Sequence, residues 1–271
     1  MPSFLASINE SVDTTRNIVV FALIMARIMA IVVLVPWLGG KSAPPEVKMG
    51  IGATLAMVLW PTVLSSMTGD IPLHPLQFVL LMLKEAFVGL IIGFVSAEIF
   101  YTVEMAGELI DVLRGANQIQ LQVPELNERS SAFGNLQYQL LLALFLGLEL
   151  HRLFIEALFE SFVKIPLNEF PTMGGDFLHF LDTMAHLISY IFAVAITLTV
   201  PVAIVCLVVE TSFGLLNRVA PQINAYFMAM PAKVVAGIVI YFFAFSMILE
   251  QMLVHSKIML GHLQHMVDLM I

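Results

Sequence analysis

Residues 177–213 read FLHFLDTMAHLISYIFAVAITLTVPVAIVCLVVETSF. Between Asp182 and Glu210 this stretch holds no Asp, Glu, Lys or Arg. At 1.5 Å per residue, about 20 apolar residues cross the hydrocarbon core of a bilayer. The run is therefore a membrane helix candidate, and it is too long for one crossing. Pro201 stands near its middle and removes one backbone donor, which predicts a kink or a broken hairpin there.

Working outward, the same ruler finds further spans at roughly 18–38, 49–67, 76–102, 136–159 and 225–253. Pro61 and Pro231 are expected to distort their segments in the same way. Residues 254–271 read as a more polar helical tail. Of the 271 residues 59% are hydrophobic and 12% charged, against about 25% charged in an ordinary soluble domain. Mean hydropathy is +0.94. The expected class is all-α and integral to a membrane, with helix hairpins and broken helices, as a single domain over residues 1–271. The first apolar run follows Glu10, Asp13 and one Arg16, and no A-x-A-like site comes after it. It reads as a retained helix, not a signal peptide.

Charge and motif content exclude several classes. With 12 Lys+Arg against 20 Asp+Glu, the net charge is −8, so no basic surface exists for nucleic acid. The single cysteine, Cys206, lies in an apolar run and permits no intrachain disulfide. Neither G-x-x-x-x-G-K-[ST] nor H-E-x-x-H occurs, and Ser212 lacks the preceding glycine of a nucleophile elbow. His179, Asp182 and His186 can share one helix face, as can His262 and His265, but the ligand count falls short of a metal site. No enzyme, cofactor or metal site is expected; the residues point to transport by shape and packing.

Charges sit where charges cost. Arg27, Lys84, Glu85, Glu98, Glu149, Arg152, Glu210, Lys233 and Glu250 lie inside or at the rim of apolar runs. Each costs about 2.5–3.5 kcal/mol at a bilayer centre. They must pair, line water or contact other subunits. Glu149, Arg152 and Glu156 share a helix face and can neutralise one another. Lys84 and Glu85 point about 100° apart, so separate partners are expected. Glu104, Glu108 and Asp111 form an acidic stripe that suits either a solvated face or a basic partner. Ala22, Ala26 and Ala30, then Gly89, Gly93 and Ala97, recur at four-residue spacing and allow close helix approach.

The segment Gly115 to Asn135 resists a helical reading. It alternates as Gln118-Ile119-Gln120-Leu121-Gln122-Val123 before Pro124, then turns polar. Such alternation suits an extended chain with one wet and one dry side. About 20 irregular residues in a compact protein suit a functional segment or an ordinary exposed loop.

Several blocks together resemble the FliR/SctT family, the export-gate subunit of bacterial type III secretion. They are Arg27 with Pro36-Trp37-Leu38-Gly39-Gly40-Lys41, Glu85-Ala86-Phe87-Val88-Gly89-Leu90-Ile91-Ile92-Gly93, and Ala106-Gly107-Glu108-Leu109-Ile110-Asp111 leading to Arg114-Gly115-Ala116. The most specific block is Asn217-Arg218-Val219-Ala220-Pro221-Gln222-Ile223-Asn224 before Met230-Pro231-Ala232-Lys233. The resemblance implies an all-helical subunit of the bacterial inner membrane, in a flagellar basal body or an injectisome. It would assemble with FliP/SctR and FliQ/SctS subunits into a pore, work with FlhB/SctU and FlhA/SctV, and pass unfolded export substrates. It also implies that the loop after Asp111 supplies a pore plug. By position that role falls on Gln118, Ile119, Gln120, Leu121, Gln122, Val123 and Pro124. Arg27, Glu85, Gly107, Asp111, Arg114, Gly115, Arg218, Pro221, Asn224, Pro231 and Lys233 would be family-motif or assembly residues.

The chain has Val123-Pro124-Glu125 where flagellar members often carry Asp-Pro, while Arg114-Gly115-Ala116 leans toward the virulence branch. From residues alone a second class stays open, a secondary transporter for a small solute. Breaks at Pro201 and Pro231, with Glu210 and Lys233 at apolar depth, suit that class.

Overall fold

The computed structural model describes residues 2–39, 43–66, 74–115, 131–171, 177–222 and 224–270, with backbone only for residues 2–14. Among the described residues seven α-helices follow one another: α1 Pro2–Leu34, α2 Pro45–Ser66, α3 Pro75–Arg114, α4 Ala132–Gly147, α5 Leu150–Lys164, α6 Phe177–Val219 and α7 Ala225–Leu269. A short 3-10 turn, Pro36–Leu38, follows α1, and no strand occurs among the described residues. The protein is an all-α membrane protein: among the described residues five helices, α1, α2, α3, α6 and α7, are long and apolar enough to cross a bilayer. At 1.5 Å per residue, α3, α6 and α7 run about 60–68 Å, twice the thickness of the hydrocarbon core.

Two sequence-based expectations change here. The span expected at 136–159 is two helices, broken at Leu148–Glu149. Glu149 adopts φ 58°, a left-handed conformation rare outside glycine, and this turns the chain between α4 and α5. Hydropathy does not see the break because a long window averages Glu149, His151 and Arg152 with the apolar residues around them. Of the kink or broken hairpin expected at Pro201, the broken hairpin is absent, since α6 runs as helix from Phe177 to Val219. Long apolar helices tolerate an internal proline when neighbouring groups take up the freed carbonyl, and α2 and α7 likewise contain Pro61 and Pro231.

The described residues form two compact units. The first comprises residues 1–97, 149–182 and 259–271. Its core includes Val20, Leu23, Ile24, Ile28 and Ile31 of α1. The small residues of α3 meet α1 closely: a Cβ on Gly89 would lie 2.3 Å from the Arg27 carbonyl oxygen and 2.9 Å from Ala30 Cβ. Gly93 packs against Ile31 and Leu34 in the same way. Trp37 meets Phe154 of α5 edge-on, 5.1 Å between rings. Lys164, at the end of α5, donates to Asp268 at 2.8 Å, and that hydrogen bond holds the ammonium pKa above its ordinary range.

The second unit comprises residues 98–148 and 183–258. Phe100 anchors its core, with Phe145 of α4 at 5.3 Å and Tyr138 at 6.3 Å. Thr199 of α6 donates to the Ala106 carbonyl of α3 at 3.2 Å, and Phe133 of α4 meets Tyr241 of α7 at 4.6 Å.

Candidate functional site

In the first unit, Arg27 is fully buried on a helix whose other inward residues are aliphatic. Its Nε donates to Glu85 Oε2, one Nη to the Ser161 carbonyl at 2.9 Å, and the other Nη to the Ile165 carbonyl at 2.9 Å. The guanidinium lies 4.1 Å from the centre of the Phe162 ring. Lys84 donates to the Pro166 carbonyl at 2.9 Å and also ion-pairs with Glu85. Separate partners were expected for these adjacent residues, but the four-carbon lysine stem lets its head group reach back to Glu85. One acid and two bases thus share a dry pocket, with backbone carbonyls completing the donors' needs. Such a cluster is stable only when its members are paired and bonded. The chain itself shelters these three charges.

The second unit gathers the motif residues that precede the Gln-rich segment. Asp111 is 3% exposed, so it leaves the acidic stripe and turns inward. Its Oδ2 accepts from the Ser131 hydroxyl at 2.6 Å and from the Phe133 amide at 3.0 Å, while Arg114 donates to Oδ1 at 3.3 Å. Ser131, the N-cap of α4, accepts from the Gly134 amide at 2.8 Å. A helix start leaves its first amides without partners, and here the end of α3 supplies part of the answer. Arg114 lies 4.3 Å from the Phe133 ring centre and packs its stem on Gly237 of α7. Gly107 permits this junction: a Cβ there would stand 2.5 Å from Phe133 and Gly134 backbone atoms. Gly115 takes φ 78° as α3 ends.

Gly107, Asp111 and Arg114 therefore meet residues 131–134, so both flanks of the intervening segment are fastened at one place. The segment expected to be irregular through Asn135 ends sooner, because residues 132–135 are the first turn of α4. Gln118, Ile119, Gln120, Leu121, Gln122, Val123 and Pro124 lie outside the described residues. Ser131 was legible as a cap, being a serine directly before an apolar run; the Asp111 contribution carried no sequence signal.

The third group surrounds the α6–α7 connection. Arg218 and Pro221 are exposed. Asn224 caps α7, its Oδ1 accepting from the Phe227 amide at 3.4 Å. Pro231 is exposed on the second turn of α7, and Lys233 lies 3.6 Å from Glu210 across the hairpin. Arg27 and Glu85 belong to one unit and the other motif residues to the second, so they form separate clusters. Among the described residues no group of three or more His, Cys, Asp or Glu side chains has the geometry to hold a metal.

A sequence model of the family described as bacterial export proteins, family 1, matches residues 18–258. The chain belongs to this family. It is the FliR/SctT family of type III export proteins, and relatives of this family-1 protein come from both branches. It is 26% identical over 229 residues to the flagellar biosynthetic protein FliR of Bacillus subtilis, covering 84% of this chain and 86% of that one. It is 30% identical over 220 residues to the Yop proteins translocation protein T of Yersinia pestis, covering 80% and 82%. Identity to the secretion system apparatus protein SsaT of Salmonella typhimurium is 31% over 180 residues, covering 65% and 67%. The family match takes in all three residue clusters just described.

Proposed function

We propose that this chain is a structural, non-enzymatic subunit of a type III protein-export gate in the bacterial inner membrane. It assembles with FliP/SctR and FliQ/SctS subunits, meets FlhB/SctU and FlhA/SctV, and lets unfolded flagellar or virulence proteins pass. The whole of residues 1–271 acts as one export-gate domain. Residues Gln118–Pro124 plug the pore in its resting state, with Ile119, Leu121 and Val123 as the occluding side chains. The observation that carries the plug reading is the Asp111–Arg114–Ser131 junction. A segment that must return to the same place after each passage needs fixed flanks, and buried charge-assisted bonds are suited to fixing them.

Deleting residues 118–126 in the assembled gate is expected to leave the membrane leaky to ions and small solutes at rest. Unchanged resting permeability, with the gate still assembled, would remove the plug from this reading. The solute-transporter alternative drew on helix breaks at Pro201 and Pro231; α6 and α7 are continuous through both.

A further inference from the structure

The outer surface of the first unit changes character from helix to helix. On α2 and α3 it is apolar, with Val58 59% and Leu83 62% exposed. On α5 it is charged. Arg152, Leu153, Glu156, Glu160 and Val163 face outward, with Glu149 just before the helix, while Phe154, Leu158 and Phe162 face the core. The last turns of α7 repeat the pattern: Met259, Leu263 and Met266 are buried, and Gly261, Gln264, His265 and Asp268 are exposed. The two amphipathic stretches are joined, since Lys164 of α5 bonds Asp268 at 2.8 Å and lies 3.6 Å from Glu160. At the start of α5, Arg152 pairs with Glu149 at 2.6 Å although their side chains are 72 and 64% exposed.

Magnitudes decide what covers this surface. Glu149, Arg152, Glu156, Glu160, Lys164 and Asp268 all lie on it, and each costs about 2.5–3.5 kcal/mol at a bilayer centre. Mutual pairing recovers part of that cost, but no ion pair to Glu156 occurs among the described residues. Lipid would return only the burial of Leu153 and Val163, about 1.5–3 kcal/mol each. Hydrocarbon loses. A covering subunit is not called for by charge either. Most of these groups are already paired within the chain, and taking such pairs out of water costs more than their attraction returns unless further bonds are added. We propose that the outer face of α5 and of the last turns of α7 stands in water in the assembled protein. Its neighbour is neither lipid nor another membrane helix. It is the face of this unit that soluble proteins reach.

The test labels thiols. The only cysteine, Cys206, is buried, and Cys206→Ala supplies a thiol-free background. In it, Glu156→Cys and Gln264→Cys probe the charged face, while Val58→Cys and Leu83→Cys probe apolar ones. Each variant is purified with the subunits that accompany the chain and placed in lipid nanodiscs, which leave both aqueous sides open. The probe is a charged maleimide that does not enter hydrocarbon. A thiol reacts as its thiolate, which apolar surroundings suppress. Glu156→Cys and Gln264→Cys are therefore expected to react about tenfold faster than the other two, the change that one unit of thiol pKa produces. Rates on the charged face within about twofold of the apolar ones would overturn the proposal. Fast labelling regained after the subunits are removed would then name a subunit as the cover, and continued protection would name lipid; either result overturns it. Should Glu156→Cys fail to accumulate folded, Gln264→Cys on a different helix decides alone.

Discussion

Arg27 shows how a membrane chain keeps a guanidinium at apolar depth. It donates to one carboxylate, to two carbonyls at the end of α5 and to the Ser161 hydroxyl, and lays its face on Phe162. Arg27→Met is expected to cost about 3–5 kcal/mol of stability, because Glu85 then keeps only Lys84 and the Ile165 carbonyl loses its guanidinium donor, while the Ser161 carbonyl keeps the Ile165 amide. Denaturant titration in detergent would measure this, and a loss below about 1 kcal/mol would mean that water enters the pocket. Glycines offer a paired comparison. Gly89→Ala must push the Arg27 carbonyl aside, since backbone cannot rotate away, and is expected to cost about 1–3 kcal/mol. Gly214→Ala, also inside a helix but with open space around it, is expected to gain about 0.5–1 kcal/mol. At this scale the misplaced charges were legible in the sequence but their partners were not. Nothing in the spacing of Arg27 and Glu85, 58 residues apart, connects them, and only packing brings Ser161 and Ile165 to the same pocket.

At the scale of elements, hydropathy located the apolar segments and missed how they end. The left-handed turn at Glu149 had no signature of its own in the run 136–159, because a long window averages Glu149, His151 and Arg152 with the apolar residues around them. At Pro201 the broken hairpin did not form, because a proline forbids one hydrogen bond and does not by itself end a long apolar helix. The start of α4 shows the value of caps. Ser131→Ala removes the side chain that accepts from Gly134 and donates to Asp111, and is expected to cost about 1 kcal/mol. Asp111→Ala strips the Phe133 amide and Arg114 of their acceptor as well, and is expected to cost more, about 2–3 kcal/mol. Thermal melts of both variants in one detergent give the order, and an equal loss would show that Asp111 adds nothing beyond the serine.

For the molecule as a whole, the family blocks were the most legible feature, since they depend on residue identity and survive any error in counting helices. Which helices cross the bilayer was not legible, because α3, α6 and α7 are each about twice the length a crossing needs. The surface carries its own prediction. Arg218 is exposed at the close of α6, so Arg218→Ala is expected to leave the melting behaviour of the chain within about 0.5 kcal/mol of wild type. Under the export-gate reading, the same variant is expected to lower the recovery of partner subunits and the secretion of substrates. Normal secretion would show that the residue has no part in assembly.

The shared cap between α3 and α4 also bears on how the chain comes into being. The amide of Phe133 finds its acceptor on Asp111, 22 positions earlier, so the opening turn of α4 cannot be completed by local contacts alone. During synthesis α3 emerges first. An Asp111 already waiting at its end would act as a template on which the later helix nucleates, which makes the order of translation part of the folding route.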